Sequence, residues 1–474
     1  MPFRCVALLF ASLLLFPVSW LSADENRPAD PPNILVLIGD DIGLDYGCYG
    51  NKGIRTPNVD RLAKEGLLFR NAFLTTSSCS PSRISILTGL YPHQTGAEDL
   101  HMPLPADKVF VSSRLREKGY FTGHMQKTHY GPEGIRQFDW YSQKLRDFPA
   151  FLDARGDRPF FMWVGFSDAH RPYQGNAVEP PHNPADVTVP PYLADTPKTR
   201  ADLVQYYDEV SRMDESIGRM VAALKERKLY ENTLIVVLAD NGMPFPRAKG
   251  TAYDSGIATP FVVCWPKVIA AGGEARGLTS VIDLAPTILD AAGLAPSRDL
   301  EGKSLLPVFR NPALPGRDYI FAERNWHNAD EHIRCVRTLR YKLIENAYLD
   351  LPYGHPSDCS SSPSWEDLLE LKKAGKLTPA QAQTFQVPRP RFELYDVEQD
   401  PHELKNLADS PEHAAVFKEL QTALAKWREE TQDFPASTRR RADNVDRVTG
   451  EKFTNEIGPQ VESGDPPPLP RRQK

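Results

Sequence analysis

Two seven-residue runs, Asn33-Ile34-Leu35-Val36-Leu37-Ile38-Gly39 and Thr233-Leu234-Ile235-Val236-Val237-Leu238-Ala239, are apolar along nearly their whole length. Each is followed at once by a pair of oxygen-bearing side chains, Asp40-Asp41 and Asp240-Asn241. A strand with one wet face alternates apolar and polar residues, whereas a continuous run marks a strand covered on both faces, the setting of a parallel sheet between helices. The intervening segment agrees. From about 203 to 228, Val210, Met213, Ile217, Met220 and Leu224 recur at three- and four-residue steps, the period of a helix lying on a sheet. A helix entering at Pro57 and running to about Glu65, with Asn58 or Asp60 available as its cap, and a helix over Asp283–Ala292 stopped by Gly293 continue the alternation. The predicted class is α/β, a large and mostly parallel sheet sandwiched by helices.

Beyond about residue 315 the pattern changes. Tyr319–Ala322, Ile333–Leu339, Tyr341–Ile344 and Phe392–Tyr395 read as short strands of an antiparallel sheet. A closing helix over about Pro411–Thr431 would bury Val416, Phe417, Leu420, Leu424 and Trp427. The predicted organisation is a signal segment at 1–23, a large domain at 24–315, a smaller α+β domain at 316–435 and a charged, Pro-rich, disordered tail at 436–474.

Arg4, the apolar stretch Val6–Trp20 and the small residues ending at Ala23 have the form of an export signal. Pro17 interrupts the stretch, which is short for a bilayer, and no later segment is apolar enough to span one. With Cys5 removed, Cys48, Cys79, Cys264, Cys335 and Cys359 remain, an odd set that leaves at least one thiol unpaired, and their spacing has no zinc-site pattern. No Asn-x-Ser/Thr sequon occurs, which fits a bacterial periplasmic or extracellular protein. A net charge of −6 without a basic stripe excludes a nucleic-acid partner.

Ligands of open α/β sheets bind beyond the carboxyl ends of the strands, so Asp40, Asp41, Asp240 and Asn241 are expected at one rim. Three carboxylates and an amide oxygen make a hard set suited to Ca²⁺ or Mg²⁺; turn and cap roles are the alternative. Cys79 stands before Ser80, a good helix N-cap, and Pro81, a natural first helical residue. That places it at a helix N-terminus where backbone N–H groups favour an anion, with Arg83 one turn in. The residues alone leave a disulfide, a buried cysteine and a catalytic thiol open at this position.

Cys79-Ser80-Pro81-Ser82-Arg83 followed by Thr88-Gly89 resembles the signature of the type I sulfatases, in which the cysteine is oxidised to formylglycine. Similar segments continue along the chain: Pro57-Asn58-Val59-Asp60, Asp240-Asn241-Gly242, Asp283-Leu284-Ala285-Pro286-Thr287, and Glu393-Leu394-Tyr395-Asp396 with Asp400-Pro401. The resemblance implies an alkaline-phosphatase-like fold and a calcium ion (magnesium being possible) on Asp40, Asp41, Asp240 and Asn241. It implies further that Lys127 and Lys249 hold sulfate oxygens, that His170 protonates the leaving atom, and that Arg83 helps to activate the formylglycine hydrate. His129 would take the proton that lets the covalent sulfate depart. Gln126 and Thr128 depart from the commoner Gly-Lys-Trp-His form of the Lys-x-His element.

Within the family the chain is most similar to the sulfamidases, which cleave the N-linked sulfate of N-sulfoglucosamine in heparan-type saccharides. The shared segments include Phe69–Phe73, Asp157–Phe161, Asp240–Pro246, the Asp400-Pro401-His402-Glu403 turn and Leu424–Trp427. Sulfamidases usually carry Arg where this chain has Lys249, and their extra cysteines have no counterparts here. Residues around His101 and 325–332 are expected to select the sugar. The implied partners are a sulfated saccharide and a formylglycine-generating enzyme. An O-sulfate ester hydrolase is the alternative. A phosphoester hydrolase of the same superfamily fits less well, because it generally uses Thr or Ser as nucleophile and often two zinc ions. A glycan-binding protein without activity would need decayed catalytic residues, and none has decayed.

Overall fold

The computed structural model describes residues 30–434 apart from 176 and 296; the expected signal segment and C-terminal tail lie outside the described residues. In the first part of the chain the strands are β1 (Asn33–Gly39), β2 (Leu67–Phe69), β3 (Ala72–Phe73), β4 (Phe121–Gln126) and β5 (Trp140–Ser142). They are followed by β6 (Phe160–Gly165), β7 (Thr233–Ala239), β8 (Phe261–Cys264), β9 (Gly273–Ala275) and β10 (Thr279–Ser280). Eight of these form one sheet in the order β5-β4-β6-β1-β7-β8-β2-β9, while β3 and β10 pair separately. β1 lies parallel to both β6 and β7 at the centre, and β8 runs antiparallel to its two neighbours.

The apolar runs do what their composition demands. Ile34, Val36 and Ile38 of β1 and Leu234, Val236 and Leu238 of β7 enter one core cluster. Leu35, Leu37, Ile235, Val237 and Ala239, pointing the other way, enter a second. Full burial of such a side chain contributes about 1.5–3 kcal/mol, so both faces of the central strands are anchored. The Pro197–Glu226 helix covers the second face with Leu203, Tyr206, Val210, Met213, Ile217, Met220 and Leu224. The Cys79–Thr88 and Leu284–Ala291 helices cover the first.

Two cap assignments differ from the sequence reading. The Pro57–Glu65 helix has Thr56 at its N-cap, and neither Asn58 nor Asp60 caps it. Its first N–H groups, on Asn58 and Val59, are taken instead by the carboxylate of Asp214 from the long helix. Asp60 Oδ1 accepts instead from the Cys48 N–H and the Thr56 hydroxyl. The helix expected to begin around Ser80-Pro81 begins at Cys79, after Ser78. Ser80 Oγ accepts the His101 N–H, and Ser78 Oγ bonds His327 Nδ1, so both hydroxyls serve distant chain segments rather than the helix end.

The remaining strands, β11 (Ile320–Arg324), β12 (Ile333–Arg337), β13 (Tyr341–Asn346) and β14 (Phe392–Asp396), form a four-stranded antiparallel sheet. The Ala414–Glu430 helix packs on it. Leu420, Leu424 and Trp427 are buried with Val336, Leu343 and Leu394, while Val416 and Phe417 are only partly covered. Among the described residues, no helix is long and apolar enough to cross a membrane. All five described cysteines are free.

Candidate active site

Strand register assembles the site. Gly39 pairs with Ala239, so Asp40-Asp41 and Asp240-Asn241 leave adjacent strands side by side at one rim. Gln126 pairs with Gly165, which brings Lys127 to the same rim, and Lys127 N–H donates to the Gly165 carbonyl at 2.8 Å. The loop bearing His170 is stitched on by reciprocal backbone bonds, Asp40 N–H to the Asp168 carbonyl at 2.8 Å and Ala169 N–H to the Asp40 carbonyl at 2.6 Å. Asp41, Gln126 and His129 all have positive φ, of 63°, 58° and 61°. That region is disfavoured for side-chain-bearing residues and recurs where a site over-determines the backbone.

The Cys79–Thr88 helix enters this rim with its N-terminus. Cys79 Sγ lies 3.7 Å from Asp40 Oδ1, 3.9 Å from Asp41 Oδ1 and 3.8 Å from Asn241 Nδ2. One turn on, Arg83 donates from Nε to Asp240 Oδ2 at 2.7 Å, and its Nη2 stands 3.8 Å from Asp40 Oδ2. Gly165 makes room for this guanidinium: a Cβ there would collide with it and with the Lys127 carbonyl.

Two lysines close the ring. Lys127 Nζ donates to Asp40 Oδ2. Lys249 Nζ donates to Asp41 Oδ2 at 2.7 Å and to Asp358 Oδ2 at 2.6 Å. His170 Nε2 is 3.6 Å from the same Asp358 oxygen. His129 Nε2 pairs with His101 Nδ1 at 2.9 Å. The structure thus brings together every residue singled out for the site: Asp40, Asp41, Cys79, Arg83, Lys127, His129, His170, Asp240, Asn241 and Lys249. Two further residues reach it. His101, expected in the sugar-selecting region, sits against His129, and Asp358 was not anticipated. Its neighbours, Asp358-Cys359-Ser360-Ser361, have the composition of a surface turn, and nothing local marks the carboxylate as inward-facing.

The electrostatics follow from burial. Asp40 and Asp41 are both fully buried. Burial opposes ionisation of Asp40, but Lys127 and Arg83 outweigh it and hold the carboxyl well below its usual range. Burial together with neighbouring carboxylates drives Asp41 the other way, against the pull of Lys249. Burial also raises the Cys79 thiol, with Lys127 and Lys249 opposing. His129 is pushed down by burial, Lys127 and His101, which favours a neutral ring. His170 is pushed down by burial and Lys249, while Asp40 and Asp358 pull it back up.

The residues suit a divalent cation. Asp40, Asp41 and Asp240 each offer a carboxylate oxygen, and Cys79 its sulfur, all within 4.8 Å of one another. Asn241 Oδ1 is buried without a hydrogen-bond partner among the described residues, an acceptor left for a ligand of its own. A buried all-oxygen set of this kind favours Ca²⁺ or Mg²⁺ over zinc.

Residues 32–146 and 141–294 match the Sulfatase family, and residues 248–359 match the family described as N-sulphoglucosamine sulphohydrolase, C-terminal. This chain belongs to the sulfatase family. It is 34% identical over 460 residues to the N-sulphoglucosamine sulphohydrolase of Homo sapiens, covering 85% of this chain and 91% of that protein. It is 31% identical over 459 residues to an ulvan-active sulfatase of Formosa agariphila, covering 85% of this chain and 76% of that one. Among solved structures it shares its fold with a protein crystallised with its substrate D-glucosamine-2-N,6-O-disulfate, at a TM-score of 0.66 and 22% identity, covering 86% and 98% of the two chains. The protein is a sulfatase, and its sheet is the alkaline-phosphatase-like sheet expected from the sequence.

Proposed function

We propose that this sulfatase removes the N-linked sulfate from N-sulfoglucosamine residues of heparan-type saccharides, with Cys79 matured to formylglycine and a calcium ion on Asp40, Asp41, Asp240 and Asn241. The observation that carries the substrate is the extent of the similarity to the human N-sulphoglucosamine sulphohydrolase, which runs through both sheets and includes the C-terminal segment up to residue 359. Catalytic rims are shared by sulfatases of many specificities; agreement in the segment that brings Lys249 and Asp358 to the rim bears on the sugar.

The hydrated aldehyde would supply a geminal hydroxyl nucleophile, and the cation would supply a fixed positive charge that favours its ionisation. The chain's own residues do the rest. Lys127 and Lys249, each already pointing its Nζ at the rim, hold sulfate oxygens and offset the charge that grows on them. Arg83 fixes the orientation of Asp240 and adds positive charge beside the nucleophile position. His170, on the open side of the site with a third of its side chain exposed, delivers a proton to the departing atom. His129, held neutral, accepts one in the second half-reaction. The producing cell must supply a formylglycine-generating enzyme, and the export signal would place the product in the bacterial periplasm or outside the cell.

The test is sulfate release by the mature enzyme from glucosamine carrying a single N-sulfate or a single O-sulfate. Release from the N-sulfated sugar is expected; release from O-sulfated sugars alone overturns the substrate assignment.

A further inference from the structure

Asp358 lies outside the signature elements of the rim, yet it touches two of the side chains that act there. It occupies the second position of the short Ser357–Ser360 helix, and its Oδ1 accepts the Cys359 N–H at 3.0 Å. Its Oδ2 accepts from Lys249 at 2.6 Å and faces His170 Nε2 at 3.6 Å. His170 Nδ1 lies against the Arg171 carbonyl, an oxygen that can only accept, so Nδ1 carries a hydrogen. The ring is therefore fixed from both sides: a carbonyl sets the tautomer, and a carboxylate faces the nitrogen turned toward the pocket.

A separate clamp holds the two segments together. Arg171, next to His170, forms a two-point ion pair with Asp202 at 2.6 and 2.8 Å. Ser364, shortly after Asp358, donates its hydroxyl to the same Asp202 at 2.6 Å. The loop carrying His170 and the segment carrying Asp358 thus share one anchor, Asp202, on the long helix.

We propose that Asp358 is a positioning residue for the leaving-group proton: its carboxylate, facing Nε2, orients the His170 ring toward the departing atom. This rests on the sulfatase reading of the site and on His170 standing at the leaving side. As the bond from sulfur to the sugar nitrogen (or oxygen) breaks, the leaving atom keeps the bonding electron pair and takes the Nε2 proton. His170 is left neutral with its Nδ1 hydrogen, and Asp358 remains a carboxylate throughout.

The experiment compares the mature wild type with Asp358→Asn and Asp358→Glu on two substrates. One is the glucosamine sulfate that the wild type takes; the other is a nitrophenyl sulfate, whose phenolate departs without a proton. Asp358→Asn is expected to lower kcat on the sugar on the order of 100-fold, the scale of general acid catalysis, and on the aryl sulfate by only about threefold, with partial recovery in Asp358→Glu. Equal losses on both substrates, or none on either, overturn the proposal. Should Asp358→Asn fold poorly, Asp358→Glu carries the comparison, and in a His170→Ala background neither change at 358 should alter the ratio further. Because the sugar is chosen by what the wild type cleaves, an error in the N-sulfate assignment is read from the wild type alone and an error about Asp358 from the ratio between substrates.

Discussion

Arg83 Nε donates to Asp240 Oδ2 at 2.7 Å, and neither side chain is exposed to solvent. A buried pair of this kind contributes little beyond what an apolar pair would, but losing one member strands a charge at a cost of about 3–5 kcal/mol. Arg83→Ala should therefore lower the denaturant midpoint markedly as well as abolish turnover. Arg83→Lys should keep more of the stability while losing most of the activity, because a single ammonium cannot meet both Asp240 and Asp40. Equilibrium unfolding of the three forms, with activity measured beside it, checks this.

Asp40, Asp41 and Asp240 bring three carboxylates to one buried rim, where a divalent cation would bind among them. Chelation should lower both activity and melting temperature, and added Ca²⁺ should restore them. Ligand linkage makes the gain logarithmic in free ion, about 2.7 kcal/mol at 100 times Kd. Asp41→Asn should flatten that dependence. A melting temperature indifferent to chelator and to Ca²⁺ in the wild type would show that the rim holds no ion.

Cys79→Ser is nearly isosteric but cannot be converted by an enzyme that oxidises the thiol. It should fold with a melting temperature close to that of the unmodified chain and release no sulfate. Mass spectrometry of the peptide spanning Cys79 should find the aldehyde form in every active preparation, in proportion to activity. Full activity with an intact thiol would overturn the formylglycine reading.

His124 gives a pH dependence of stability that is separate from catalysis. Its ring is buried beside Tyr141 and Phe138, with centroids 4.4 and 5.3 Å away, and burial pushes its pKa from 6.5 to about 3. The unfolded chain then binds the extra proton first. This contribution to stability is complete above about pH 6.5 and is lost as pH falls toward 3. His124→Phe should lose less unfolding free energy than the wild type between pH 7 and 4, measured by denaturant titration at each pH. Identical slopes would show that His124 is not buried as a neutral ring.

Much of this architecture was legible in order along the chain because its signals are local. The apolar runs before Asp40 and Asp240 announce strands buried on both faces, and Val210 through Leu224 announce the helix over them, since both periodicities are properties of short segments. What the sequence determined by itself, then, is the α/β class, the antiparallel second sheet, and the motif residues that the strand ends would carry to a rim. The tertiary structure decided the rest. Asp214, not Asn58 or Asp60, closes the Pro57–Glu65 helix; Ser80 and Ser78 bond His101 and His327 rather than capping their own helix; and Asp358 reaches Lys249 across 109 residues. Each of these is a choice among several available partners, made by which side chains the packed sheet and helices bring within hydrogen-bonding distance, and no local pattern encodes that distance.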